Sequence, residues 1–234
     1  MIRVSNVKAL KVKIYQQSAC YRKPYSYKVW ETYPLPPYST VKGFFHKILK
    51  AEEFIPMSIS VQGESESTFT NFVRYILYKS DGEVTNRPQK ITELFNVYLV
   101  IHVFSDDMVI KKLYDSLNNL EEFPSLGRAE DLVRIDEVKL ENINVVDAFV
   151  EPQTLRMPVY IPAEWVARYS EGEEEAMPGI EYTLRYKYEI VKGTRVWTQK
   201  ARVIYADKGV NIDFGEVLLD EEGLVVFPWP LLEY

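Results

Sequence analysis

Lys42, His46 and Lys50 fall four residues apart, so a helix beginning near Thr40 lines them along one face. Val41, Phe44, Phe45 and Ile48 fill the other face. The segment before it, Tyr33-Pro34-Leu35-Pro36-Pro37, is stiff, because proline fixes φ and biases its predecessor to extended backbone. Ser39 or Thr40 is placed to cap the helix, and Gly43 leaves room for a second backbone. A helix N-terminus flanked by cations suits an anion such as a phosphate. A buried helix with a solvated basic stripe has the same pattern. Metal-independent RNA cleavage needs a base near the 2′-hydroxyl and an acid at the leaving 5′-oxygen, and His, Lys or Tyr can supply both. The chain has two histidines, His46 and His102, and neither forms a Lys-His pair. His46 is expected to stay neutral beside its cationic neighbours. It reads as a side chain that bonds a phosphate or base edge, or faces solvent, rather than as a general base.

Other chemistries lack their residues. No Walker-type phosphate loop, HExxH zinc motif or GxSxG nucleophile elbow occurs. Cys20 is the single cysteine, which excludes an internal disulfide and a multi-cysteine zinc site. Asp106-Asp107 and Glu130-Asp131 sit where a helix start and a turn explain them. No catalytic set, metal or cofactor is therefore expected. The longest apolar run, near Val97–Phe104, is strand-sized and broken by His102, so no membrane partner is expected and the location is expected to be cytoplasmic.

The net charge of −6 looks wrong for a nucleic-acid binder, but its distribution is uneven. Residues 1–50 carry ten Lys/Arg and one acid, Glu31. Residues 101–150 carry five against eleven, and the last thirty-four residues two against seven. One basic surface on an acidic body follows, suited to holding RNA with help from neighbours rather than alone. Tyr21, Tyr25, Tyr27, Tyr33 and Tyr38 cluster in the proline loop among Arg22, Lys23 and Lys28. Aromatics interleaved with cations suit single-stranded RNA, though a tyrosine-rich protein interface would look similar.

Several elements must position these groups. Leu10, Val12 and Ile14 alternate with Lys11, Lys13 and Tyr15, a strand with one buried and one basic face. A helix over about Thr40–Ala51 follows, then strands near Met57–Gln62, Phe69–Tyr78 and Ile91–Phe104. Ser80-Asp81-Gly82-Glu83 marks a hairpin turn. Met108, Ile110, Leu113, Leu117 and Leu120 predict a helix over Asp106–Leu120, and Asp131–Ile143 returns as strand. The order predicts an α+β, ferredoxin-like (RRM-like) domain over residues 1–150. Glu151-Pro152 marks a boundary before a small β-rich lobe over 151–234, with strands near Thr183–Val191, Arg195–Asp207 and Leu224–Pro228. Residues 170–179 read as a flexible acidic loop. His102 shares strand parity with Tyr98, which is either a base-stacking platform or part of a covered sheet face. Leu126-Gly127-Arg128 reads as a turn that aims Arg128 at RNA or a neighbour, or pairs it with Glu130 or Asp131.

The proline–serine–x–x–x–glycine lead into the first helix resembles the Cas5 family of CRISPR-associated proteins, subunits of type I Cascade complexes. The preceding first strand, the basic pair Arg22 and Lys23, and Leu126-Gly127-Arg128 before Glu130 agree with it. The tail Val217–Phe227 resembles the closing hairpin of members from subtype I-B systems. The resemblance implies a non-catalytic subunit that binds the 5′ handle of the CRISPR RNA and caps the complex. It implies that a "thumb" hairpin at about 62–90, with the basic residues Arg74, Lys79, Arg87 and Lys90, reaches toward the backbone subunit, while the body touches the large subunit. The expected RNA-binding residues are Arg22, Lys23, Tyr38, Ser39, Lys42, Gly43, His46, Arg74, Arg87, Lys90, Gly127 and Arg128. Some members, from subtype I-C systems, cleave repeat RNA with a Tyr, Lys and His set. An endoribonuclease is thus the alternative, although that triad has no matching positions here.

Overall fold

The computed structural model describes residues 7–169 and 177–232. The opening strand is expected from the sequence over Met1–Gln16, and its first six residues, like residues 170–176 of the expected acidic loop, lie outside them. Twelve strands and three helices follow one another among the described residues. They are β1 (Val7–Ala19), β2 (Val29–Trp30), α1 (Tyr38–Ile48), β3 (Ser58–Tyr78), β4 (Val84–Phe104), α2 (Asp107–Asn118) and β5 (Arg134–Asp147). Then come β6 (Gln153–Thr154), β7 (Val159–Pro162), α3 (Ala163–Tyr169), β8 (Ile180–Val191), β9 (Thr194–Ala206), β10 (Asn211–Ile212), β11 (Glu216–Leu219) and β12 (Val225–Val226).

One large sheet runs β12-β11-β5-β1-β4-β3-β7-β9-β8. Its central strands β5, β1, β4 and β3 are antiparallel to one another, and β2 pairs with β4 in parallel. The alternation read in β1 decides its two faces. Leu10, Val12 and Ile14, with Val97, Leu99, Ile101 and Val103 of β4, form one core with Val41 and Phe45 of α1 and Leu113 and Leu117 of α2. Burying such side chains contributes roughly 1.5–3 kcal/mol each. Met108 and Leu120 do not join this face; both are exposed.

Strands beyond Glu151-Pro152 hydrogen-bond to the sheet at both edges: β11 to β5, and β7 to β3 at a single register pair. A second core of Val159, Ile161, Trp165, Val217 and Phe227 lies among these strands and under α3, an element absent from the sequence-based expectation.

β3 and β4 keep one register from Ser58↔Phe104 to Tyr78↔Val84, skipping only Glu66 opposite Asn96, whose φ is +48°, in a ribbon about 70 Å long at the usual strand rise. Gly82, at φ +84°, turns its tip. β1 stops pairing at Leu94, β2 takes over at Lys90 and Ile91, and the ribbon leaves the body past Gln89, the last buried residue of β4. Arg74, Arg87 and Lys90 are exposed on it.

Helix α1 starts earlier than expected. Pro37 is its N-cap, and its carbonyl accepts from the N–H groups of Thr40 (2.8 Å) and Val41 (3.1 Å). Ser39 and Thr40 lie inside the first turn instead of capping it, because proline has the extended backbone a cap needs and no N–H to lose. The three-residue cationic line also breaks. Lys50 lies past the C-cap Leu49 at φ +50° and pairs with Glu121 at 2.8 Å.

Candidate nucleic-acid interface

A cleft of about 780 Å³ opens between α1 and the β8–β9 hairpin. It gathers six of the expected residues: Arg22, Ser39, Lys42, Gly43, His46 and Gly127. Five cations line it (Arg22, Lys42, Lys47, Arg185, Arg195) against two carboxylates (Glu52, Glu53). The surplus stands on a chain of net charge −6 and so concentrates positive potential at one place.

Helix α1 supplies the first wall. Gly43 is exposed, with nothing within 4 Å of where a Cβ would stand, so it opens toward the cleft rather than toward another part of the chain. Lys42 is not a solvated cation. It is buried, donates to the Tyr186 carbonyl at 2.5 Å, and lies over the rings of Tyr186 (4.0 Å) and Phe54 (4.4 Å). Burial, with the Lys187 charge adding to it, pulls its ammonium down to about 8. His46 lies one turn on, half-buried, its Nε2 3.1 Å from the Ile55 carbonyl. Burial first, then Lys42, lowers its pKa against the opposing Ile55 contact, which keeps the imidazole neutral near pH 7.

The rim is the 125–131 turn. Gly127 takes φ +112°, and a Cβ there would stand 2.7 Å from Asp131 Oδ2. That oxygen is already committed: it accepts from the N–H groups of Cys20 (3.1 Å) and Arg128 (2.8 Å). The Arg128 guanidinium bonds Asp131 and Glu93, with Glu130 at 3.5 Å. Of the two readings of this turn, the structure has the paired one. Arg128 holds the turn together, and its charge is met by carboxylates rather than left for a phosphate. Tyr38 is a second correction. It is fully buried, stacked on Trp229 at 5.7 Å, because the helix starts at it and carries its ring into the core. The tyrosine cluster divides likewise: Tyr21 and Tyr33 are buried, Tyr25 and Tyr27 exposed.

Arg22 is exposed at the cleft, its guanidinium 4.3 Å over Trp30. Lys23 lies 3.5 Å from Glu31, outside the cleft proper. Arg74, Arg87 and Lys90 stand on the projecting ribbon and not with the cleft group.

The far wall was missing from the sequence reading. Arg185, Tyr188, Arg195 and Trp197 come from β8 and β9. The signal existed in Arg185-Tyr186-Lys187-Tyr188 and Arg195-Val196-Trp197, cations interleaved with aromatics. Regular strand parity would split Arg185 and Tyr188 to opposite faces, but the register with β9 shifts on both sides of Lys187.

His102 and Tyr98 also part company. Tyr98 is 47% exposed, 5.1 Å from Tyr15. His102 is buried with Lys11, Glu141 and Asp220, the last from the turn between β11 and β12. Lys11 Nζ already lies 2.5 Å from Asp220 and 3.8 Å from Glu141, so an ammonium supplies the cation of that group.

Fold and cleft together define a mostly antiparallel β protein with a net-positive, aromatic-lined cleft and a long projecting hairpin. Residues 9–180 match the family described as CRISPR-associated protein (Cas_Cas5), and the chain belongs to that family. Its fold is similar to a chain of a "CRISPR RNA-guided surveillance complex", with a TM-score of 0.57 at 13% identity over 87% of this chain and 91% of that one. It also aligns with a CRISPR protein from Archaeoglobus fulgidus, with a TM-score of 0.49 at 12% identity over 94% and 98% of the two chains. No curated protein sequence matches the chain. No helix among the described residues is long and apolar enough to cross a membrane.

Proposed function

We propose that this protein is a non-catalytic subunit of a type I, subtype I-B, Cascade complex that holds the 5′ handle of the CRISPR RNA and caps one end of the assembly. The observation that carries the reading is the cleft, where Arg22, Ser39, Lys42, Gly43, His46 and Gly127 meet in a net-positive groove. Family membership supports the CRISPR setting. The strand order β5-β1-β4-β3, with α1 and α2 packed on one face, supports a ferredoxin-like centre. The projecting ribbon, with exposed Phe72, Tyr78 and Val84 beside Arg74 and Arg87, suits a thumb that reaches the backbone subunit, leaving the body for the large subunit. Location in the cytoplasm goes with this reading. The non-catalytic part rests on the occupied groups: Lys42 is bound to the Tyr186 carbonyl, and His46 Nε2 lies against Ile55.

Charge reversal at Arg22 and Lys23 should weaken retention of the protein's own CRISPR RNA about tenfold or more and reduce the slope of affinity against salt. An unchanged affinity and slope would refute the cleft reading. In EDTA the wild type should leave repeat RNA intact. Specific cleavage that His46→Ala abolishes would establish the endoribonuclease instead.

A further inference from the structure

The β8–β9 hairpin carries a set of side chains that the family match, which ends at residue 180, does not cover. Tyr188 and Trp197 face each other across the two strands, with ring centroids 5.4 Å apart and nearly perpendicular. Each ring has a guanidinium on one face, Arg185 at 5.0 Å from Trp197 and Arg195 at 4.7 Å from Tyr188. The four alternate as cation, ring, ring, cation along the cleft wall.

Two observations separate this ladder from an ordinary solvated hairpin. First, Arg185 and Arg195 enter no ion pair among the described residues, whereas Arg202 on the same hairpin is bidentate to Glu181, and Arg128 is held by three carboxylates. Their charge is unspent. Second, the ladder exists only because the strand is irregular. The register shifts on either side of Lys187 bring Arg185 and Tyr188 to the same wall, and bulges of this kind re-aim side chains at functional sites. Tyr188 stays 38% exposed, and Trp197 is half-buried, so both rings keep reachable surface.

We propose that this ladder is a base-stacking jaw. One unpaired nucleobase of RNA packs on the Tyr188–Trp197 pair, and Arg185 and Arg195 bind the phosphates on either side of it. The inference rests on the reading that the cleft holds RNA, and it adds which nucleotide chemistry the far wall takes. Stacking is tolerant of base identity because every base has a π-face. The jaw would therefore hold a single-stranded nucleotide in place without reading its sequence.

The test uses the full-length chain at low salt and a series of its repeat-derived RNAs, each with one abasic nucleotide. Trp197→Ala should weaken binding of the intact RNA by about five- to a hundredfold, while Trp197→Phe keeps most of the affinity. RNA should quench tryptophan fluorescence in the wild type, and the part of the quenching due to Trp197 should vanish in Trp197→Phe. One abasic position should reproduce the loss and show no further loss with Trp197→Ala. Matching thermal melts for the variants exclude misfolding. Wild-type RNA binding that Trp197→Ala and Arg195→Ala leave unchanged overturns the jaw and leaves the cleft reading intact. A Trp197→Ala defect confined to joining a neighbouring subunit likewise overturns it in favour of a protein contact. A wild type that binds no RNA overturns both.

Discussion

Replacing Asp220 by Ala should remove about 3–5 kcal/mol of stability, the usual result of breaking a buried ion pair by deleting one partner. Asp220 is only 3% exposed, and both its oxygens are in use. Oδ2 accepts from Lys11 Nζ at 2.5 Å and lies 3.3 Å from His102 Nε2. Oδ1 accepts from the N–H groups of Glu222 (2.9 Å) and Leu224 (2.7 Å), which shape the turn between β11 and β12. Without the carboxylate, the fully buried Lys11 retains Glu141 at 3.8 Å and the half-exposed Glu222 at 3.2 Å, and the two N–H groups lose their acceptor. The remaining partners place the effect toward the lower end. For a chain of this size each kcal/mol moves Tm by about 2–4 °C, so calorimetry should show a drop of about 6–20 °C. Acid should expose the same contact. Burial would raise the Asp220 carboxyl, but hydrogen bonds from His102, Lys11 and Leu224 outweigh it and hold the group well below the usual carboxylate range. The unfolded chain then takes up its proton first. The stability present at neutral pH is lost as pH falls from about 5 toward the folded-state value. Asp220→Asn should flatten that slope. A loss below about 1 kcal/mol, or an unaltered acid slope in the Asn variant, would refute the reasoning.

Two further outcomes follow from the cleft. Lys42 titrates at about 8 in the fold, below its ordinary 10.5, so the unfolded chain holds more protons between these values and stability from this group rises as pH rises from 8 to 10. Lys42→Met should remove that rise, and denaturant melts at the two pH values that keep the same slope would contradict the burial argument. Gly127→Ala should cost about 1–3 kcal/mol in urea unfolding, since it places a strained φ of +112° and a Cβ 2.7 Å from Asp131 Oδ2 on the turn that braces the rim. A neutral substitution there would show that the turn can relax.

Local rules were enough for much of this protein. The two-residue alternation of Leu10, Val12 and Ile14 is a backbone property, and it put these three on the core face of β1, but Lys11 on the opposite face is buried as well, against Asp220. Gly82 marked a hairpin tip because its positive φ belongs to the residue itself. The α1 side of the cleft was legible for the same reason: residues four apart on a helix share a face wherever the helix goes. Tertiary structure decided what those side chains meet. Lys42 reads as a surface cation until β8 lays the Tyr186 carbonyl against it, and the turn around Arg128, open in the sequence between an outward cation and a pair with Glu130 or Asp131, takes the paired form and adds Glu93 from β4. Lys11 and Asp220 are 209 residues apart, joined because β11 pairs with β5 and β5 with β1. The far wall of the cleft lay furthest from the sequence, since the irregular register around Lys187 cancels the parity by which a strand is read. Periodicity reports the conformation of one segment, whereas burial and charge compensation belong to pairs of segments, and only the fold chooses the pairs.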